Sequence, residues 1–328
     1  MKASNEVART VVFEAPGAVA LRREPVEPTD DQVIVRSELI GISHGTERLF
    51  FRGPFPTGQL LERRHTIGAA AGYPIAYGYM NVGTLEDGTR VFAFEPHRDV
   101  FAADGSSLLT VPDGIAPDDA VLYPSVETAV QIVHDTAPAL GERVLVCGLG
   151  VIGLLVTTLL ARFPIEVVAV DPVATRRRRA EALGVATVDA SDPVAADELV
   201  ARSETVGFDT AINVSSSGEA LQLAIDALKP EGTVVEASWY GEKTTELSLG
   251  SAFHRRRLTI RSSQVSSLNA AMQPRWNRER RTALTWKLVR DLRPGSLITH
   301  RFALDDAPRA YDFIDQEPDG LLQAVLVP

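Results

Sequence analysis

Cysteine is almost missing from this sequence: Cys147 is the one example in 328 residues. A single thiol forms no intramolecular disulfide and excludes any zinc centre built from several cysteines. A surplus of positive charge is missing too. Lys and Arg number 33 against 43 Asp and Glu, a formal net charge of −10. Nucleic acid, whose phosphates call for basic side chains, is therefore not an expected partner. The longest apolar run, Val144 to Ala161, is punctuated by glycines, whereas a membrane span needs about 20 unbroken apolar residues. No membrane partner is expected. The first twenty residues lack the apolar core of a secretion signal, so a cytoplasmic protein is expected. Internal repeats, low-complexity blocks and any strong helical period before residue 120 are likewise absent.

What is present is a globular composition, 45% hydrophobic and 23% charged, in a chain long enough for two domains. The first 120 or so residues are rich in Pro and Gly. "RTVVFEA", "QVIVRSELIGIS" and "TRVFAFEP" read as strands separated by turns. The rhythm then changes. "RVLVCG", "EVVAVD", "GFDTAINV" and "TVVEASW" read as apolar strands alternating with helices, the pattern of a parallel sheet covered on both faces. From about Gln264 a helix, a strand, a short helix and a final strand follow.

Within "VLVCGLGVIGLL", Gly148, Gly150 and Gly153 close an apolar strand and open an apolar helix that starts near Val151. The three glycines have separate tasks in a dinucleotide cradle. The first makes the tight turn, the second admits the diphosphate, and the third lets helix and strand pack. Amides at the helix start then face the phosphates. Asp171 follows Gly148 by 23 residues, close to the roughly 20 expected of an acid that binds the adenosine ribose. It favours NAD over NADP, although Arg176 nearby could serve a 2′-phosphate. The run Arg176 to Arg179 reads as a solvated helix face, and Cys147 as a small buried residue.

With "GISHGTE" near 45, "YPIAYGYMNVG" near 78, "DGTRVFAF" near 92, "VETA" near 128 and the glycine turn, the chain resembles the medium-chain dehydrogenase/reductase superfamily over nearly its whole length. The resemblance implies an α/β protein. A GroES-like β-rich catalytic domain (1–124, completed by 265–328) accompanies a Rossmann doubly wound parallel sheet (125–264). "VEASWYG", "AFHRRRLTIRSSQV" and "PRW" look like a subgroup labelled zinc-binding dehydrogenases, related to bacteriochlorophyllide hydroxyethyl dehydrogenases.

The zinc ligands of the superfamily do not carry over. The matching positions hold Ser43 and His44, then Tyr79 and Met80, then Tyr123, a poor donor set for zinc. No zinc is expected. The acid–base candidates are instead Tyr79, at the former histidine ligand, with His44, Thr46 at the hydroxyl-relay position, and Glu127. Tyr79 needs a cationic neighbour to lower its pKa from near 10 if it is to act as a base; it can equally fill vacated space. Thr128 matches a threonine packed on the nicotinamide. Ends of parallel strands nominate Asn213, Val214, Ser238, Trp239 and Tyr240, with Ser263 and Gln264 at the next crossover. Gln323 stands where alcohol dehydrogenases place an arginine on the diphosphate.

The resemblance thus implies a zinc-independent NAD(P)-linked enzyme that interconverts a secondary alcohol and a ketone on a small molecule. Reduction of an activated C=C bond and a catalytically silent dinucleotide-binding protein are the alternatives. A homodimer is a family expectation, and "TVVEASW" is compatible with edge pairing of two Rossmann sheets.

Overall fold

A computed structural model describes residues 6–53, 66–68, 72–201 and 207–328. The chain divides into two units, one of Met1–Pro124 with Trp286–Pro328 and one of Ser125–Thr285. The return to the first unit therefore begins at Trp286, not at 265 as the sequence suggests. The reason is visible in Arg281, which is 4% exposed and bonds Glu127 and Gln131 of the second unit.

The first unit is β-rich. Strands β1 (Val7–Ala15) and β2 (Ala18–Pro25) form a hairpin, joined by β4 (Thr66–Gly68) and β5 (Ile75–Tyr77) in a sheet of order β2-β1-β5-β4. A second sheet contains β3 (Gln32–Ile42), β6 (Asn81–Thr84), β7 (Arg90–Ala93), β8 (Val100–Asp104) and β9 (Leu109–Thr110). It also takes in β16 (Ile298–Ala303) and β17 (Gln323–Val327) from the end of the chain, in the order β16-β17-β3-β6-β7-β9 with β8 on β3. Between the two sheets lies a core that includes Phe13, Ile40, Phe50, Tyr311 and Leu326.

One helix in this unit departs from the sequence reading. Helix α1 (His44–Arg52) buries Glu47, Phe50 and Phe51. These share one face at helical spacing, but a carboxylate occupies one of the three inward positions, so the apolar period is masked. The short α2 (Pro117–Ala120) is also helical.

The second unit is a six-stranded, all-parallel sheet. It comprises β10 (Arg143–Cys147), β11 (Glu166–Asp171), β12 (Ala186–Asp189), β13 (Phe208–Asn213), β14 (Leu228–Glu236) and β15 (Thr259–Ser262). Its order, β12-β11-β10-β13-β14-β15, is that of a doubly wound sheet whose direction of winding reverses between β10 and β13. Helices α3 (Tyr123–Thr136), α4 (Val151–Leu160), α5 (Ala174–Glu181), α6 (Pro193–Ala201) and α7 (Gly218–Asp226) accompany it. Helix α8 (Arg278–Leu292) crosses the division of the units and α9 (Ala307–Asp315) belongs to the first. Strands buried on both faces account for the near-continuous apolar runs "RVLVC" and "EVVAVD".

The segment "TVVEASW" cannot pair edge to edge with another sheet, because β14 already has β13 and β15 on its two sides. The outer strands are β12 and β15. No helix among the described residues is long and apolar enough to cross a membrane.

Candidate functional site

The glycine turn has the geometry that its spacing predicts. Gly148 adopts φ +101°, and a Cβ there would lie 3.1 Å from the Ser215 backbone. A Cβ on Gly153 would run into the Gly148 carbonyl oxygen, so this glycine packs helix against strand. Gly150 differs from both. It stands at the N-cap of α4 with no side-chain cap, and a Cβ there would meet nothing within 4 Å. The first amides of α4, beginning at Val151, have no intrahelical carbonyl and no side-chain cap, the arrangement that receives an anion.

Asp171 ends β11 beneath this turn and is 3% exposed. Its Oδ2 accepts from the Leu149 amide at 2.7 Å and its Oδ1 from the Val173 amide at 2.8 Å. Arg176 lies 3.9 Å from the same carboxylate. Of the four arginines only Arg178 and Arg179 are exposed. Arg177 ties α5 down through the Asp171 carbonyl and Asp189. The solvated-face reading holds for half the run.

At the carboxyl ends of β13 and β14 the nominated residues converge on one that the sequence reading missed, Glu236. Asn213, fully buried, donates to Glu236 Oε2 at 2.7 Å and to the Tyr240 hydroxyl at 3.1 Å. The Ser238 amide donates to Glu236 Oε1 at 2.8 Å, and Tyr240 donates to Oε2 at 3.3 Å. Burial first, then the charge of Glu236, pushes the Tyr240 phenol up to about 12. Val214 donates its amide to the Cys147 carbonyl, and Trp239 is 38% exposed. An acid closing an apolar strand was the available signal. The thiol of Cys147 is pushed up to about 12 by burial, with Glu236 adding to it, so it is inert.

Other nominees are engaged elsewhere in the second unit. Glu127 pairs with Arg281 at 3.1 Å. Ser263 donates to Asp135 at 2.6 Å, and Gln264 accepts from the Ser266 amide at 2.7 Å. Thr128 is half-buried on α3.

In the first unit Ser43 caps α1 in position but not by its side chain. Its hydroxyl instead accepts a hydrogen bond from Tyr79, whose phenol also meets Thr46. The α1 start is closed by Glu47, whose Oε1 accepts from the Ser43 amide at 2.6 Å. Glu47 is fully buried and takes two more donors, His97 Nε2 at 2.8 Å and the Tyr311 hydroxyl. His97 Nδ1 is buried without a partner. A Cβ on Gly78 would come within 2.5 Å of that nitrogen, so the His97 ring fits only beside a glycine.

The base role of Tyr79 would need its pKa lowered. Burial raises its pKa above 10, the charge of Glu47 adds to this, and the hydrogen bonds with Ser43 and Thr46 only oppose it. His44 accepts the Ala324 amide on Nε2 at 3.0 Å, which fixes its proton on Nδ1. Gln323 is 3% exposed and donates to the Ile42 and Ala324 carbonyls, so it stabilises its own sheet. Tyr123 is 1% exposed, with its ring 4.6 Å from that of Trp286. The residues at the zinc-ligand positions do not fit the metal. Ser43 and Tyr79 are hydroxyls bonded to each other, Met80 and Tyr123 are buried, and His44 is a single histidine, whereas zinc asks for three or four Cys, His or carboxylate ligands. Among the described residues no three such side chains cluster.

Residues 151–280 match the family model described as zinc-binding dehydrogenase, a stretch beginning at α4 and lying outside positions 43 and 79. The D-guloside 3-dehydrogenase of Escherichia coli K12 is 28% identical over 225 residues, covering 66% of this chain and 64% of that protein. A solved structure described as a short chain alcohol dehydrogenase from Escherichia coli CFT073, complexed with NADH, superposes with a TM-score of 0.76. It is 17% identical and covers 98% of this chain and 99% of its own. A putative zinc-binding dehydrogenase from Sinorhizobium meliloti 1021 bound to NADP gives 0.74 at 22% identity, covering 98% and 100%. Residues 151–280 thus match a dehydrogenase family, and the chain as a whole shares the fold of these dehydrogenase structures. These solved structures share the arrangement in which a Rossmann sheet interrupts a β-rich unit.

Proposed function

We propose that this chain is a medium-chain dehydrogenase/reductase, an NAD(P)-dependent oxidoreductase that interconverts a secondary alcohol and a ketone without zinc. The observation that carries the reading is the uncapped start of α4 at Gly150, open above Asp171. Amides from Gly148 to Gly153 would hold the diphosphate, and Asp171 the adenosine ribose. NAD is preferred over NADP because Arg176 is already paired with Asp171, which would repel a 2′-phosphate. The bound nicotinamide supplies or takes up the hydride.

Tyr79 is the proton donor in this reading. A phenol whose pKa is raised stays protonated through neutral pH, which suits it to donate to a ketone oxygen. Ser43 and Thr46 hold the phenol by hydrogen bonds. His44 is engaged at Nε2 by the Ala324 amide. Glu127 acts through its ion pair with Arg281 rather than on substrate. The same protonated phenol supports a second reading, proton delivery to carbon after hydride addition to an activated C=C bond. A cytoplasmic homodimer completes the proposal, with light scattering as its test.

Deuterated NADH offered with paired ketones and enones tests the chemistry. Label on an oxygen-bearing carbon supports the first reading, and label on a former alkene carbon the second. Tyr79→Phe is expected to lower kcat by about 10²–10⁴ while leaving NADH affinity unchanged. An undiminished kcat removes Tyr79 from the mechanism. Metal analysis is expected to find no zinc, and one retained equivalent overturns zinc independence.

A further inference from the structure

In the second unit, one face of the parallel sheet carries a row of hydrogen-bonding side chains. Alternate residues of a strand share a face. The register sets Thr210 of β13 beside Thr233 of β14, and Thr233 beside Thr259 of β15. One row on, Val235 is level with Arg261. Together with Asp135 at the end of α3, these residues line a cavity of about 480 Å³, within the size range of small-molecule sites.

Asp135 is the decisive member. It is 8% exposed, and its Oδ2 takes hydrogen bonds from Gln131 at 3.1 Å and Ser263 at 2.6 Å. Its Oδ1 accepts none among the described residues. The three threonine hydroxyls and the Arg261 guanidinium also have no partner among them. Asp135 Oδ1 thus remains free to accept a hydrogen bond from a guest bearing hydroxyl groups.

The remaining lining narrows the guest. Asp209 is spent on Lys229 and the Arg143 amide, and Glu231 on Arg257. Carboxylates outnumber basic groups along the wall, which disfavours an anion. No three acidic, His or Cys side chains gather to hold a metal among the described residues. No aromatic ring lines the cavity to receive a flat apolar ligand. A carboxylate acceptor, a guanidinium donor and a row of hydroxyls that do both match adjacent hydroxyl groups. We propose that this cavity is a second binding site, separate from the nucleotide turn, for a neutral polyhydroxylated molecule of monosaccharide size.

Methyl β-D-glucopyranoside is the probe, followed on the full chain by saturation-transfer NMR and calorimetry, with and without NADH. Binding is expected in both conditions. Thr233→Val removes the central hydroxyl with little change of shape, and Arg261→Gln alters an exposed side chain. Each is expected to weaken the glycoside about tenfold, the loss of one or two hydrogen bonds, while NADH affinity stays unchanged. No saturation transfer in the wild-type chain overturns the proposal. So does equal binding by the wild type and both variants, which places the sugar elsewhere.

Discussion

Asp171 and Glu47 are both nearly or fully buried carboxylates, one in each unit, and they are held in different ways. Asp171 is bound by two backbone amides, with an arginine 3.9 Å away. Leu149 comes from the glycine turn after the neighbouring strand β10, and Val173 and Arg176 from the turn and helix that follow β11. Glu47 takes one amide, one imidazole and one phenol, from positions 43, 97 and 311. A carboxylate accepts about four hydrogen bonds. Asp171 keeps acceptor capacity for a ligand, whereas Glu47 spends three on joining a helix, a loop and the C-terminal return. The first carboxylate is a binding group, and the second is a joint.

Glu47→Ala breaks the comparison most severely if it is right. It leaves the Tyr311 hydroxyl, the His97 N–H and the Ser43 amide unpaired in the core. Unfolding by denaturant is expected to show a loss of about 3–5 kcal/mol. A loss below about 1 kcal/mol means that the joint is not structural. Glu47→Gln keeps an acceptor and is expected to lose less.

Gly150→Ala probes the other side. The backbone there has φ −66°, which alanine adopts freely, and its Cβ would meet nothing. The unfolding midpoint is expected to stay put. NADH affinity, read by nucleotide fluorescence, is expected to fall about 10–100-fold, because the methyl group occupies the approach of the diphosphate. Unchanged affinity would show that no diphosphate rests on this turn.

The same contrast explains what was legible. Gly148, Gly150, Gly153 and Asp171 act through neighbours close in sequence, so spacing alone exposes them. The strands of the parallel sheet are equally readable, because burial on both faces leaves uninterrupted apolar runs. Glu47, His97 and Tyr311 meet across more than 200 residues, and no local pattern marks them. Helix α1 escaped for a related reason, since its inward face is one-third carboxylate. Glu127 looked like an acid in a first turn; its partner Arg281 lies 154 positions away. Glu236 was visible as an acid at the end of an apolar strand, yet only Asn213 and Tyr240 give that position a purpose.

The smallest expected effect concerns alkaline pH, where the two units should loosen in sequence. Cys147 in the parallel sheet has its thiol raised from 9.0 to about 12, and Tyr311 in the β-rich unit is raised well above 10. Each folded pKa exceeds the unfolded one, so the unfolded chain releases its proton first and gains stability as pH rises. The contribution of Cys147 is therefore whole below about pH 9 and declines above it, and that of Tyr311 declines only above about pH 10. At pH 9.5 the thiol accounts for about 1 kcal/mol of lost stability. Cys147→Ala removes this titration at the cost of a small cavity. Its unfolding free energy, plotted from pH 8 to 10, is expected to fall less steeply than that of the wild type, while Tyr311→Phe matches the wild type in that window. Parallel curves for Cys147→Ala and wild type would mean that the thiol ionises in the folded sheet as readily as in water, and that the carboxyl ends of β10 and β14 are wetter than their packing implies.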